Sequence, residues 1–193
     1  MEEYLKLFVA SAITNNFVLT QFLGLCIFFG VSKNLNASIG MGMAVTSVMT
    51  LSSMLAWAVY TYILHPLGLQ SLMLITFVLL IASFVQLLEM IIKKHAPALY
   101  NMWGIYLVLI ATNCIVLAVP VTNAELHSDL ITSLVRAIGS GVGFALALIL
   151  MASLREKLQY ADVPKSLEGL GISFILAGML ALSFFGFSGM ITL

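Results

Sequence analysis

The sequence predicts an all-α membrane protein, with six transmembrane helices in two inverted three-helix repeats and with helices 1 and 4 interrupted as half-helices. Three observations lead to this prediction. Of the 193 residues, 62% are apolar and only 8% are charged, whereas about a quarter of the residues in a soluble domain are charged. The mean hydropathy is +1.12. Uncharged stretches long enough to cross a bilayer recur along the chain, and polar residues lie inside two of them.

The composition also excludes several kinds of function. A water-soluble monomer cannot bury so much apolar surface. Eight Lys and Arg balance eight Asp and Glu, so the chain has no basic face for a nucleic acid. Two cysteines cannot build a disulfide framework. No Walker, Rossmann, zinc-protease or nucleophile-elbow motif occurs in the sequence, so any nucleotide or flavin chemistry belongs to other subunits.

The uncharged stretches divide into six predicted helices. The stretch 34–88 has 55 residues, enough for two spans of about 20 residues each. Pro66-Leu-Gly68 supplies the turn between them. The longest polar stretch, Arg155 to Glu168, is predicted to be a loop. The predicted helices cover roughly 4–32, 38–64, 70–93, 98–121, 129–154 and 169–190.

Lysine and arginine in the short loops predict the orientation, because cytoplasmic loops are enriched in them. One side of the predicted bundle holds six basic residues, Lys33, Lys93, Lys94, Arg155, Lys157 and Lys165, and the other holds Lys6 and Arg136. We therefore expect loops 33–37, 93–98 and 155–168 to be cytoplasmic and both termini to lie outside. The acidic pair Glu2-Glu3 argues against a cleavable signal peptide.

The two halves, 1–95 and 96–193, are predicted to be repeats of opposite orientation, because each holds an odd number of helices. Two sequence registers support this. One aligns 14–19 with 112–117, with four identities in six residues. The other aligns 23–27 with 111–115 and is favoured for helices 1 and 4, because it superposes the two cysteines and the helix ends. Each match alone is weak.

Polar residues inside helices 1 and 4 mark the candidate site. Asn15 and Asn16 lie in helix 1, and Asn113 lies in helix 4. Buried amides in a bilayer either join helices by hydrogen bonds or mark broken helices, where transporters place their sites. For these asparagines the sequence supports both interpretations about equally. It favours simple helix–helix contacts for the threonines.

The two cysteines, Cys26 and Cys114, each follow the midpoint of their predicted helix by six residues. Because helices 1 and 4 are antiparallel, continuous helices would separate the thiols by about 18 Å along the membrane normal. A shared function, whether metal binding or a disulfide, therefore requires interrupted helices. Free buried cysteine is also an ordinary packing residue.

An iron–sulfur cluster normally takes four thiolates, so two cysteines would be half of a ligand set. The histidines are poor substitutes, because we expect His65, His95 and His127 to lie at the membrane interfaces. If the cysteines bind such a cluster, the other two thiolates must come from a partner, and the cluster must lie at a subunit interface.

With these features in place, the sequence resembles the membrane subunits of the Rnf complex, an ion-translocating ferredoxin:NAD⁺ oxidoreductase. It is also similar to the paralogous D and E subunits of the Na⁺-pumping NADH:quinone reductase. Asn15-Asn16 and the short loop around Pro66 look more like the A-type Rnf subunits. The resemblance covers essentially the whole chain and rests on Asn15-Asn-Phe-Val-Leu19, Phe22-Leu-Gly-Leu-Cys26, Val31-Ser-Lys33, Gln86-x-x-Glu89-Met90, Thr112-Asn-Cys114, Arg155-Glu-Lys157, Ala161-Asp-Val-Pro164 and Gly186-Phe-Ser-Gly189.

The resemblance implies a multi-pass subunit of the bacterial inner membrane. In this family an A-type subunit pairs with an E-type paralogue of opposite orientation, and each supplies two cysteines to one intramembrane [2Fe–2S] cluster. The matching residues are Cys26 and Cys114. Electrons would pass between ferredoxin and NAD⁺, coupled to export of Na⁺ or H⁺, with flavin and iron–sulfur centres in further subunits. Ile27 departs from the Pro or Thr that is common in the family, which puts only the local helix break in doubt.

Three further residues are expected to support the cluster. Gly24, Thr112 and Asn113 would shape the half-helix turns and hydrogen-bond the cluster sulfurs. Three alternatives stay open: a subunit of a Na⁺-pumping NADH:quinone reductase, an inverted-repeat transporter without redox chemistry, or an anchor for redox subunits that holds no cofactor. Paired thiols argue against the transporter, and iron content separates the cluster from the anchor.

Overall fold

A computed structural model describes residues 2–68, 70–95, 109–110, 112–158, 160, 164 and 169–187. The described part is helical and contains three helices long and apolar enough to cross a membrane, Leu35–Leu64, Met73–Ile91 and Leu130–Leu158. Two shorter apolar helices are Cys114–Glu125 and Leu170–Phe185. The prediction of six spans in two inverted repeats, divided at residues 95 and 96, stays a prediction.

The first predicted helix is broken twice. Helix α1 (Glu2–Val9) continues into one π-helical turn (Ala10–Thr14). After Asn15 and Asn16 the chain forms the short helix α2 (Phe17–Gln21), and a second break precedes α3 (Leu25–Val31). The interruption that the sequence predicted for this helix is therefore present.

Longer helices form the rest of the described fold. The helix that follows α3 is α4 (Leu35–Val59), which ends through a π-helical turn (Tyr60–Leu64) and the three-residue α5 (His65–Leu67). Gly68 closes it in the left-handed conformation, at φ +66°. A 3₁₀ turn (Gln70–Leu72) leads into α6 (Met73–His95). The remaining helices are α7 (Cys114–Glu125), α8 (Leu130–Leu158) and α9 (Leu170–Phe185).

The core lies where α4 packs along α8, and small residues allow the close approach. A Cβ added at Gly42 would lie 2.7 Å from the Cβ of Ala145. One added at Gly143 would lie 2.5 Å from the carbonyl oxygen of Ala12, in the π-helical turn. Helix α8 therefore supports both α4 and the broken first helix. The largest fully buried side chains around this contact are Phe28, Met49, Phe144, Leu148 and Met151.

Several predicted boundaries were wrong. Helix α8 extends four residues beyond the predicted end at 154, so Arg155 lies in a helix and not in the predicted loop. Its side chain is held by partners on α3, which stabilise the extra turn. Helix α7 reaches Glu125 and not 121, and α9 ends at Phe185 and not 190. Residues 96–108 of the predicted fourth helix, and most of 159–168, lie outside the described residues.

Candidate cofactor site

The second break of the first helix places Cys26 at the start of a half-helix. Two successive departures from helical geometry form this break. Phe22 has φ +56°, and Gly24, the residue that caps α3, has φ +77°. Glycine adopts this left-handed conformation without strain, whereas a residue with a side chain does not. Cys26 is the second residue of α3, and it is exposed in this chain.

Helix α7 begins at the second cysteine, Cys114. Asn113 caps the helix, because its Oδ1 accepts a hydrogen bond of 3.2 Å from the backbone N–H of Ile115. The Asn113 side chain is buried, and its Nδ2 has no hydrogen-bond partner among the described residues. A buried amide donor without a partner is uncommon in native proteins. Cys114 itself is exposed.

The two cysteine segments meet at Gly24. The backbone N–H of Gly24 donates a hydrogen bond to the Sγ of Cys114 at 3.1 Å. A Cβ at Gly24 would lie 3.0 Å from the Oδ1 of Asn113 and 3.4 Å from the Phe144 ring. The breaks thus bring one thiol into contact with the turn that carries the other, as a joint function requires.

A polar surface surrounds these breaks. Its exposed members come from the first helix and from the start of α7, and they are Asn15, Thr20, Gln21, Cys26, Thr112 and Cys114. We call this set the break face. The hydroxyl of Thr20 donates to the carbonyl of Asn16 at 2.7 Å, and the Sγ of Cys114 accepts from Gly24. Exposed amides, such as those of Asn15 and Gln21, are unfavourable against lipid. The break face therefore differs from the exposed faces of α6 and α9, which are largely apolar.

Asn16 fixes the first break from inside the bundle. Its Oδ1 accepts from the backbone N–H of Val18 at 3.1 Å, which caps α2. Its Nδ2 donates to the carbonyl of Gly143 at 2.8 Å and to that of Ala12 at 3.3 Å. Asn16 therefore caps a helix at the break and joins it to α8, which confirms the helix–helix contact. Its part in a functional site stays a prediction.

The three residues predicted to support the cluster do not all lie in the same place. Gly24 and Asn113 lie at the junction of the two cysteine segments. Thr112 lies beside them on the exposed surface, and its hydroxyl bonds the carbonyl of Leu109 at 3.4 Å. Among the described residues no group of three or more Cys, His, Asp and Glu side chains is placed to hold a metal ion. Within this part of the chain, Cys26 and Cys114 are two candidate thiolate ligands.

Two of the histidines belong to a cluster of aromatic rings. His65 and His127 form a cluster of rings with Tyr60, with centroids 6.1 to 6.5 Å apart. His65 is helical, although the sequence placed it just before a turn, and His127 lies in the turn after α7. His95 is the last residue of α6. None of the three is part of the break face.

Sequence reasoning missed two arginines, which it used only as markers of orientation. Arg155 donates to the carbonyl of Phe29 at 2.9 Å and to the hydroxyl of Ser32 at 2.8 Å, at the end of α3. Arg136 donates to the Oδ1 of Asn123 at 2.9 Å, in the last turns of α7. The available signal was the position of Arg136 inside the predicted apolar helix 129–154, where a charge requires a partner.

Comparison with known proteins was consistent over the whole chain. Residues 4–191 match a family model described as "Rnf-Nqr subunit, membrane protein". The chain is 72% identical, over all 193 residues of both chains, to a Clostridium ljungdahlii protein named as the A subunit of a proton-translocating ferredoxin:NAD(+) oxidoreductase complex. It is 49% identical over 191 residues, 99% of each chain, to the A subunit of the ion-translocating oxidoreductase complex of Actinobacillus pleuropneumoniae. The protein of the same name from Vibrio cholerae is 48% identical over 193 residues, all of both chains.

Proposed function

Because the chain belongs to the Rnf-Nqr family of membrane subunits, we propose that it is the A subunit of an ion-translocating ferredoxin:NAD⁺ oxidoreductase complex. Within that complex it carries electrons through the membrane by way of a [2Fe–2S] cluster, and it shares this cluster with a paralogous E-type subunit. Nucleotide and flavin chemistry belongs to other subunits of the complex.

A single observation carries the cluster assignment, namely the hydrogen bond from Gly24 to Cys114. Without interrupted helices the two thiols would lie about 18 Å apart along the membrane normal. The turn before Cys26 instead touches the sulfur of Cys114. Contact between one thiol and the turn before the other cysteine, across 90 residues of sequence, is expected for shared ligands and not for independent packing residues.

The residues at this junction fit an iron–sulfur cluster. Cys26 and Cys114 would supply two thiolates, and both are free and exposed on the break face. The buried Nδ2 of Asn113 is a donor without a partner among the described residues, and a cluster sulfur would satisfy it. Such clusters take four protein ligands. The partner that covers the break face would supply the other two.

The chain's own residues would position and insulate the cluster. Gly24 brings its backbone N–H to the sulfur of Cys114, and such hydrogen bonds raise a cluster's reduction potential. The Phe144 ring packs beneath the same turn and excludes water from the inner side. When bound, the cluster accepts and releases one electron. A redox centre inside the membrane divides a crossing of about 30 Å into shorter transfers.

Electron transfer would be coupled to ion export. The relative with 72% identity is named proton-translocating, so we propose H⁺ as the exported ion, with Na⁺ as the alternative. Reduction of a bound cluster would add a negative charge to a site of low dielectric constant. The electrostatic energy of a charge in such a site is large. That charge can shift the surrounding half-helices between two arrangements, as expected for inverted-repeat carriers. The predicted orientation places both termini on the outer side.

The test is to purify the complex and to measure iron, acid-labile sulfide and the EPR spectrum after reduction. We expect about two irons per copy of this chain and a [2Fe–2S] signal. Cys26→Ser and Cys114→Ser should each abolish that signal and electron transfer while the subunit stays in the membrane. Ser183→Ala, on the exposed face of α9, is the matched control. Full activity without iron would refute the cluster assignment.

A further inference from the structure

Helix α8 carries an arginine near each of its ends, and each arginine holds a different half-helix. Arg136 and Arg155 are 19 residues apart on this helix, which is about 28 Å of α-helix. That length matches the hydrocarbon thickness of a bilayer, about 30 Å. Each guanidinium therefore lies near a different membrane surface, where its charge is tolerated.

Arg155 holds the C-terminal end of α3. The last carbonyls of a helix have no partner within the helix, and a cation near them is favourable. The guanidinium of Arg155 donates to the carbonyl of Phe29 at 2.9 Å and to the hydroxyl of Ser32 at 2.8 Å. Ser32 is completely buried. These are charge-assisted bonds at the opposite end of the half-helix from Cys26.

Arg136 holds the corresponding part of α7. It donates to the Oδ1 of Asn123 at 2.9 Å and to the hydroxyl of Ser128 at 3.2 Å. The Nδ2 of Asn123 donates in turn to Ser53 on α4, at 3.0 Å. The charge thus lies near the C-terminal end of the helix that Cys114 begins, and the contact is tied to the core.

The combined length of α3 and α7 agrees with the separation of the two arginines along α8. The half-helices α3 and α7 have 7 and 12 residues, which end to end make about 28 Å of helix. Their N-terminal ends meet at Gly24 and Cys114. Their C-terminal ends contact the two arginines, which are 19 residues apart on α8. Phe144, between the two arginines on α8, packs against that meeting point. Helix α8 therefore contacts the two half-helices, α3 and α7, at their C-terminal ends and at the point where they meet.

We propose that Arg136 and Arg155 are positioning residues, and that through them α8 sets the separation at which Cys114 and Cys26 meet. Only the expected effect on the cluster rests on the proposed function; the positioning of the two cysteines does not. Neither arginine touches the thiols. Each instead fixes the axial position of one cysteine-bearing half-helix, so the loss of one arginine releases one thiol and leaves the other in place.

The experiment compares the two thiols in the same protein. The complex is purified with Arg155→Gln or Arg136→Gln, and the EPR spectrum and midpoint potential are recorded. Iron is then removed with a chelator, and the alkylation rates of Cys26 and Cys114 by N-ethylmaleimide are measured separately by mass spectrometry. Lys157→Gln is the matched control, since it removes an exposed charge two residues from Arg155.

We expect the ratio of the Cys26 rate to the Cys114 rate to rise about tenfold in Arg155→Gln and to fall about tenfold in Arg136→Gln, the size expected for lost charge-assisted hydrogen bonds. Both arginine variants should alter the EPR spectrum. Lys157→Gln should change neither the alkylation ratio nor the EPR spectrum. Ser32→Ala, which removes one acceptor of Arg155 but keeps its charge, should shift the ratio in the same direction by a smaller factor.

Other outcomes would overturn the proposal. If the substitutions only destabilised the protein in general, the alkylation of both cysteines would become faster together. The ratio of the Cys26 rate to the Cys114 rate would then be unchanged in every variant. A ratio that moves in the same direction for both arginines would also contradict it. If the wild-type complex contains no iron, the proposed function fails. The opposite changes in the alkylation ratio would then still decide whether the arginines position the thiols.

Discussion

The backbone N–H of Gly24 lies 3.1 Å from the Sγ of Cys114, although 90 residues separate them in the sequence. This contact joins the two breaks in the helical bundle, and it places a hydrogen-bond donor on a sulfur inside the membrane. Its geometry depends on the left-handed conformation of Gly24, at φ +77°. The contact can therefore be removed by a small change in the backbone.

Gly24→Ala should weaken the junction. The left-handed conformation costs a residue with a side chain about 1–2 kcal/mol, and the new Cβ would lie 3.0 Å from the Oδ1 of Asn113. We expect lower iron content and an altered EPR signal. Gly30→Ala is the control, because its Cβ would meet nothing within 4 Å. Equal iron content in the two variants would show that the turn at Gly24 does not matter.

Asn113→Asp should lower the midpoint potential of the cluster by about 50 mV, which corresponds to about one hydrogen bond. The carboxylate keeps the oxygen that caps α7 but loses the amide donor, and its negative charge disfavours reduction. Potentiometric EPR titration of the complex measures the shift. Asn36→Asp adds the same charge at an exposed position on α4 and should leave the potential unchanged. An unchanged or higher potential in Asn113→Asp would exclude Asn113 as a donor to the cluster.

Asn16→Ala should destabilise the protein by about 2 kcal/mol, because it removes a helix cap and buried hydrogen bonds to Gly143 and Ala12. The measurement is thermal unfolding of the purified complex in detergent. Asn15→Ala, at the exposed neighbouring position, is the control and should have a much smaller effect on stability. The structural role of Asn16 would be wrong if both substitutions lowered the melting temperature equally.

If H⁺ is the exported ion, electron transfer should build a pH gradient in membrane vesicles without added Na⁺. Activity should stay within about twofold when Na⁺ is omitted, since no coupling equilibrium then involves Na⁺. A protonophore should collapse the gradient and accelerate turnover. Strict dependence on Na⁺, with uptake of ²²Na⁺ into the vesicles, would favour the alternative ion.

The sequence was informative about the membrane and about the site. Apolar content predicted the long helices, and the positions of Cys26 and Cys114 predicted that helix 1 must break if the thiols act together. The break is present at Asn15 and again at Phe22 to Gly24. The sequence identified Asn16 but could not decide between a helix–helix contact and a broken-helix site, because the contact depends on how closely α8 approaches.

Other features depended on tertiary contacts. The partners of Arg155 lie 126 and 123 residues away in the sequence, so no local pattern marked this arginine. The extra turn of α8 has the same origin, since Arg155 finds acceptors on α3. The π-helical turn at Ala10–Thr14 lies where α8 approaches, with Gly143 against the carbonyl of Ala12. Hydropathy and spacing carry no information about such a contact.

The break face has a consequence for how the complex is made in the cell. A newly inserted copy without its partner subunit would present Asn15, Gln21 and both thiols to lipid. This exposure is unfavourable for each amide. Such an orphan would be a target for membrane proteases and a source of adventitious oxidation. If a partner subunit covers the break face, as proposed above, balanced synthesis of the two chains is a requirement of biogenesis, and overproduction of either alone should shorten its lifetime.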